Sequence, residues 1–173
     1  MAAEDNKAQL RRIYEECFNQ GNLATADELV APDARDTSPG IPPGIPTTGP
    51  DGLKGIVSLL RSAFPDLQVT IDEMIAEGDM VVARATFTGT HRGNFQGIQP
   101  TGKRVNWGAI DIVHLRNGQF VSHYGLQDGL GLLQQVGSIS TASQAIPATS
   151  GQDTSGQAIS GQAISGQAIP SKG

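Results

Sequence analysis

The chain has 173 residues, of which 38% are hydrophobic and 17% charged, and it carries a formal net charge of −5. That length suits one domain rather than two. The acidic balance, with no Lys/Arg cluster, excludes the basic face a nucleic-acid partner needs. No apolar run reaches membrane-spanning length, and the single cysteine, Cys17, excludes an internal disulfide or a multi-cysteine metal site. The polar opening MAAEDNKAQLRR lacks the apolar stretch of a secretory signal. The expectation is a soluble, cytoplasmic protein.

Leu10, Ile13, Tyr14, Cys17 and Phe18 fall at i, i+3, i+4, i+7 and i+8, one face of an amphipathic helix with Gly21 as its C-terminal cap. On that stripe Cys17 reads as buried and inert. A second, short helix turns Leu23, Ala26, Leu29 and Val30 inward and ends at Pro32. The stretch TSPGIPPGIPTTGP, Thr37 to Pro50, holds five of the ten prolines, so it is neither helix nor central strand; it reads as an ordered surface loop or lid. A third helix spans about Asp51 to Phe64, with Leu53, Ile56, Val57, Leu60 and Phe64 on one face, and Pro65 stops it.

The period then changes from 3.6 to 2. VTIDEMIAEGDMVVARATFTGTH predicts two strands joined at Glu77-Gly78-Asp79. In the second, Val81, Ala83, Ala85, Phe87, Gly89 and His91 share the apolar, core-facing side. After the loop RGNFQGIQPTG come a third strand, Lys103 to Leu115, and a fourth, Gln119 to Gln127, joined by the hairpin signal Asn117-Gly118. On the fourth strand Phe120, Ser122, Tyr124, Leu126 and Asp128 share one parity. His123 has the other and is expected to face away from any pocket. A short helix, Gly129 to Val136, closes a domain of residues 1–138. In 139–173 the pentapeptide SGQAI recurs three times, with one isoleucine per repeat, too little apolar surface to offset chain entropy; this tail is expected to be disordered.

Helices followed by a strand meander with one apolar face predict an α+β layer arrangement. FPDL at Phe64 to Leu67, GTHRGNFQGIQPTGK at Gly89 to Lys103 and DGLGLLQQVG at Asp128 to Gly137 resemble the SnoaL-like polyketide cyclases, also called ester cyclases, of the NTF2-like fold. The similarity covers about residues 6 to 138. It implies a conical barrel in which three N-terminal helices pack on a curved antiparallel sheet around a pocket. It also implies a homodimer or higher oligomer built through the sheet. The activity it implies is ring closure of an aromatic polyketide by intramolecular aldol condensation, without metal or organic cofactor. An aspartate just before the last helix matches Asp128 as acid/base, and a histidine on the preceding strand matches His114. Where relatives carry D-H-x-P, this chain has Asp36-Thr37-Ser38-Pro39; where they often carry tryptophan on the last strand, it has Tyr124.

Each candidate also has a plain structural reading. Asp128 is either the acid/base, raised in pKa by an apolar pocket, or the N-cap of the helix after it. His114 is a donor to a substrate carbonyl or an exposed strand-end side chain. His91 is a second possible assistant or a satisfied core histidine. Trp107 and Tyr124 stack on an aromatic ligand or simply pack. Phe18, Phe87 and Asp111 complete the set expected to line the pocket. The three histidines show no metal-ligand spacing. The expected partner is a small apolar or aromatic ligand, not a membrane. The open alternatives are a non-catalytic binding module, and another cofactor-free reaction such as hydroxylation, isomerisation or epoxide hydrolysis.

Overall fold

The computed structural model describes residues 3–139. Helix α1 runs Ala3–Arg12, with Glu4 and Asp5 in its first turn and Arg11 and Arg12 in its last, signs that complement the helix dipole. It continues directly into a π-helical segment, Ile13–Asn19, which buries Ile13, Tyr14, Cys17 and Phe18. The single helix expected there is thus wound more widely in its second half, a feature often found at functional sites. Helix α2, Ala24–Leu29, is tied to this segment by Arg12, whose guanidinium reaches both Glu16 and Glu28.

Val30–Asp36 is a strand, β1, and Pro32 lies inside it rather than ending a helix. β1 is the edge of the sheet, where a strand accommodates a residue without an N–H, and its register with β5 shifts between Val30 and Arg35. Helix α3, Pro50–Ala63, starts from Gly49 with proline in its first turn, and Phe64 caps it where Pro65 forbids continuation. Strands β2 (Gln68–Glu77), β3 (Met80–Thr90), β4 (Arg104–Arg116) and β5 (Gln119–Gln127) follow, and α4 (Gly129–Val136) closes the fold. Both residues of the Asn117-Gly118 turn have positive φ, 53° and 82°, the backbone a two-residue hairpin requires.

The sheet order is β1-β5-β4-β3-β2. β2 to β5 are antiparallel as expected; β1 joins β5 in parallel, so the sheet is mixed. Period-two alternation holds on β3 and β4. Val81, Ala83, Ala85 and Phe87, with Val105, Trp107, Ala109, Asp111, Val113 and Leu115, are buried on the inner face. At one end of that face Phe64, Phe87 and Trp107 pack at ring distances of 5.2 and 5.3 Å, with His91 and Phe95 beside Phe64. The other end, under Tyr14 and Phe18, is not filled. None of the helices among the described residues is long and apolar enough to cross a membrane. The repeats expected to be disordered fall on residues 140–173, outside the described residues.

Candidate active site

The unfilled end of the core is a cavity of about 310 Å³. Leu10, Ile13 and Phe18 line it from the first helix, Leu53 and Ile56 from α3, Phe87 and Val113 from the sheet, and Pro39 and Ile41 from the proline loop. Against this apolar wall stand four polar side chains in one connected group: Tyr14, Asp111, His123 and Asp36, with Ser38 at its end.

The group is built by the fold. β4 alternation points Asp111 inward between Ala109 and Val113. The π-helical segment brings the Tyr14 hydroxyl over it, donating to Asp111 Oδ2 at 2.5 Å. His123 stands between two carboxylates, with Nε2 3.0 Å from Asp111 Oδ1 and Nδ1 2.9 Å from Asp36 Oδ2. Asp36 ends β1, level with His123 in the parallel pairing. Its other oxygen accepts from the backbone N–H and the hydroxyl of Ser38. The Gly125 N–H donates to that hydroxyl at 2.8 Å, and the Thr37 N–H donates to the His123 carbonyl.

The electrostatics follow from these contacts. Burial opposes charge on the His123 ring, but hydrogen bonds and attraction from Asp111 and Asp36 outweigh it and lift the imidazole to about 9. At neutral pH the ring is an imidazolium donating from both nitrogens. Each nitrogen then faces one carboxylate, and Ser38 Oγ lies 3.4 Å from Nδ1. Burial alone would raise Asp36; the bonds from His123 and Ser38 hold it below the usual carboxylate range. Burial, reinforced by the neighbouring Asp111 charge, drives the Tyr14 phenol far above its ordinary value, so it stays protonated.

The residues expected from the sequence are dispersed. Phe18, Phe87 and Asp111 line the cavity. Trp107 is buried in the aromatic end of the core, its indole N–H bound to Gln127. Tyr124 is on the outer face of the sheet, 39% exposed. His91 is fully buried on Phe64, with Nδ1 3.1 Å from the Thr101 hydroxyl and Nε2 unpartnered, and is not part of the cavity wall. His114 is on the outer side near Asp79, at 3.6 Å. Asp128 is the N-cap of α4, its carboxylate accepting from the Gly131 N–H at 2.8 Å, next to the cavity lining but outside it.

The expectation that His123 faces away is overturned. Between the pairs His114–Ser122 and Leu115–Phe120 the β5 register shifts, leaving Val121 as an extra residue. Such a bulge reverses parity beyond it. Phe120 points inward before it; His123 and Gly125 line the cavity after it, Tyr124 is exposed, and Leu126, half exposed, also borders the cavity. Asp36 and Ser38 were visible only as the Asp-Thr-Ser-Pro stretch that departs from the relatives' D-H-x-P, and Tyr14 only as one member of a helical stripe.

Aklanonic acid methyl ester cyclase DnrD of Streptomyces peucetius is 27% identical over 135 residues, 74% of this chain and 88% of that protein. The structure of TsrD from Streptomyces laurentii superposes with a TM-score of 0.71 at 29% identity, covering 80% of this chain and 99% of TsrD. An NTF2-like protein of unknown function from Burkholderia pseudomallei shares the fold, with a TM-score of 0.62 at 21% identity over 79% of this chain and 99% of that one. The model of the SnoaL-like polyketide cyclases matches residues 8–136, helix α1 through helix α4, and the chain belongs to that family.

Proposed function

We propose that this protein is a polyketide-cyclase-like enzyme performing cofactor-free acid/base chemistry, an intramolecular aldol-type cyclisation, on a small apolar ligand rich in carbonyls. The observation that carries this reading is His123 held between Asp36 and Asp111, at 2.9 and 3.0 Å, on the wall of a predominantly apolar cavity. A carbon flanked by two carbonyls is already acidic, so one carboxylate suffices as base and then as acid. Asp111 takes that role. Each of its oxygens accepts one hydrogen bond, from Tyr14 and from His123, and keeps a second lone pair. Asp111 removes the proton, the enolate carbon attacks a ketone of the same molecule to form the C–C bond, and the resulting alkoxide takes the proton back from Asp111. While Asp111 is protonated, the charge of the His123 imidazolium is left to stabilise the enolate. Asp36 and Ser38 orient the ring, and Tyr14 holds Asp111.

The reading is tested without the natural substrate. Aromatic 1,3-dicarbonyl compounds are incubated with the protein in D2O and exchange of the activated C–H is followed by NMR. Wild type is expected to exchange above buffer, and His123→Gln to lose about 100-fold or more of that rate. Ligand line broadening with no exchange by wild type would replace the enzyme with a binding module.

We also propose that the chain self-associates through the outer face of its sheet. Ile110 faces Leu126 and Ile112 faces Tyr124 across β4 and β5, and Ile110, Leu126 and Tyr124 are exposed. Adjoining apolar side chains in cross-strand register form the kind of patch that a second copy covers.

A further inference from the structure

Gly125 is paired directly with Asp111 across β4 and β5, and His123 lies two residues earlier on the same face. In an antiparallel pair, opposed side chains stand about 5 Å apart at Cβ and fill the space between them. Here that space is already occupied. A Cβ at position 125 would meet Asp111 Oδ1 at 2.6 Å and His123 Cε1 and Nε2 at 3.1 Å each. The first is closer than such atoms approach without displacement; the second would press on the ring. The glycine is not called for by its backbone, since Gly125 is absent from the residues with positive φ. Nor is every glycine nearby so crowded, because a Cβ at Gly108, on β4, would meet nothing within 4 Å. The one backbone group Gly125 directs at the site is its N–H, bound to Ser38 Oγ at 2.8 Å.

We propose that Gly125 is a positioning residue: its missing side chain lets Asp111 and His123 close to hydrogen-bonding distance over β5, while its N–H fixes Ser38 and, through it, Asp36 on the other ring nitrogen. Without the vacancy the two side chains would stand apart as ordinary cross-strand neighbours. The catalytic consequence rests on the assignment of Asp111 and His123 above; the structural consequence does not.

The test is an NMR titration of the His123 ring in the full chain, for wild type, Gly125→Ala, Asp111→Ala and the double variant, beside the pH profile of dicarbonyl exchange. Wild type should titrate near 9. Gly125→Ala should lower the midpoint by about one unit or more, toward the ordinary value for histidine, and move the alkaline limb of exchange down with it. In the Asp111→Ala background the same substitution should leave the midpoint where Asp111→Ala puts it. Gly125→Ala that keeps the wild-type midpoint overturns the proposal. If Gly125→Ala fails to fold, the double variant decides: folding restored by Asp111→Ala identifies the carboxylate as what the methyl displaces, whereas failure of both overturns the idea. Absence of exchange in every variant would refute the assigned chemistry while the titration still judged Gly125.

Discussion

The residues that concentrate charge in this cavity are few, and each has a defined consequence. With its imidazole raised to about 9, His123 is positive across the neutral range, so exchange should hold there and fall as pH rises through about 9. A rate flat to pH 11 would separate the ring from the chemistry. Tyr14→Phe removes the phenol that holds Asp111 but neither charge; it should slow exchange by about 10-fold and leave the alkaline limb in place, a net hydrogen bond to a charged group being worth roughly 1.5–3 kcal/mol. Asp128 makes the opposite case. Asp128→Ala should cost about 1 kcal/mol in denaturant unfolding, as loss of an N-cap does, with exchange unchanged, whereas Asp128→Asn should be nearly silent in both. At this scale the sequence was informative about residue types more than about roles. Asp111 was recognisable because strict alternation on β4 fixed its side; His123 was misplaced because parity was counted through a strand that does not keep it.

The elements explain why. β3 and β4 were readable because each alternates cleanly and is bounded by a turn with its own chemistry, Gly78 or Asn117-Gly118, whereas β2 shifts register between Ile71 and Glu73. Gly118→Ala, at φ 82°, should cost about 1 kcal/mol, measured by denaturant unfolding. The two elements that complete the site carry no such signal. β1 has a proline within it and follows a helix without a break, so Ala34, Arg35 and Asp36 read as loop. The β5 bulge depends on β4 and is invisible in β5 alone. Deleting Val121 should restore simple alternation with Phe120 and His123, then two apart, both still facing inward. The expected outcome is a His123 ring that keeps its raised titration; loss of it would show that the bulge itself shapes the site. The proline loop is tied at its root by the bonds from Ser38 and Thr37, which places Pro39 and Ile41 over the cavity.

For the molecule as a whole, the same cluster links function to stability. Below pH about 6.5 the His123 ring is protonated whether the chain is folded or not, so its full contribution is present; that contribution fades as pH climbs toward about 9. Asp36, depressed below 3.8, contributes above its unfolded value and loses that contribution as pH falls through its lower folded one. Thermal stability should therefore be highest between roughly pH 4 and 6.5 and decline on both sides; His123→Gln should flatten the alkaline side in particular. Light scattering should find a dimer or larger assembly, shifted toward monomer by Ile110→Glu with the fold intact; an unchanged mass for that variant would place any contact elsewhere.

Assignment of proton transfer to Asp111 and not to Asp128 is tested by setting the two side by side. Asp111→Asn and Asp128→Asn differ from wild type by the same change of one oxygen for nitrogen. Both are compared in the D2O exchange of an aromatic 1,3-dicarbonyl at pH 7. Asp111→Asn should lose about 100-fold or more, the scale of a general base, and Asp128→Asn should remain within about twofold of wild type. The reverse order, with exchange surviving in Asp111→Asn and vanishing in Asp128→Asn, would place the base at Asp128 instead.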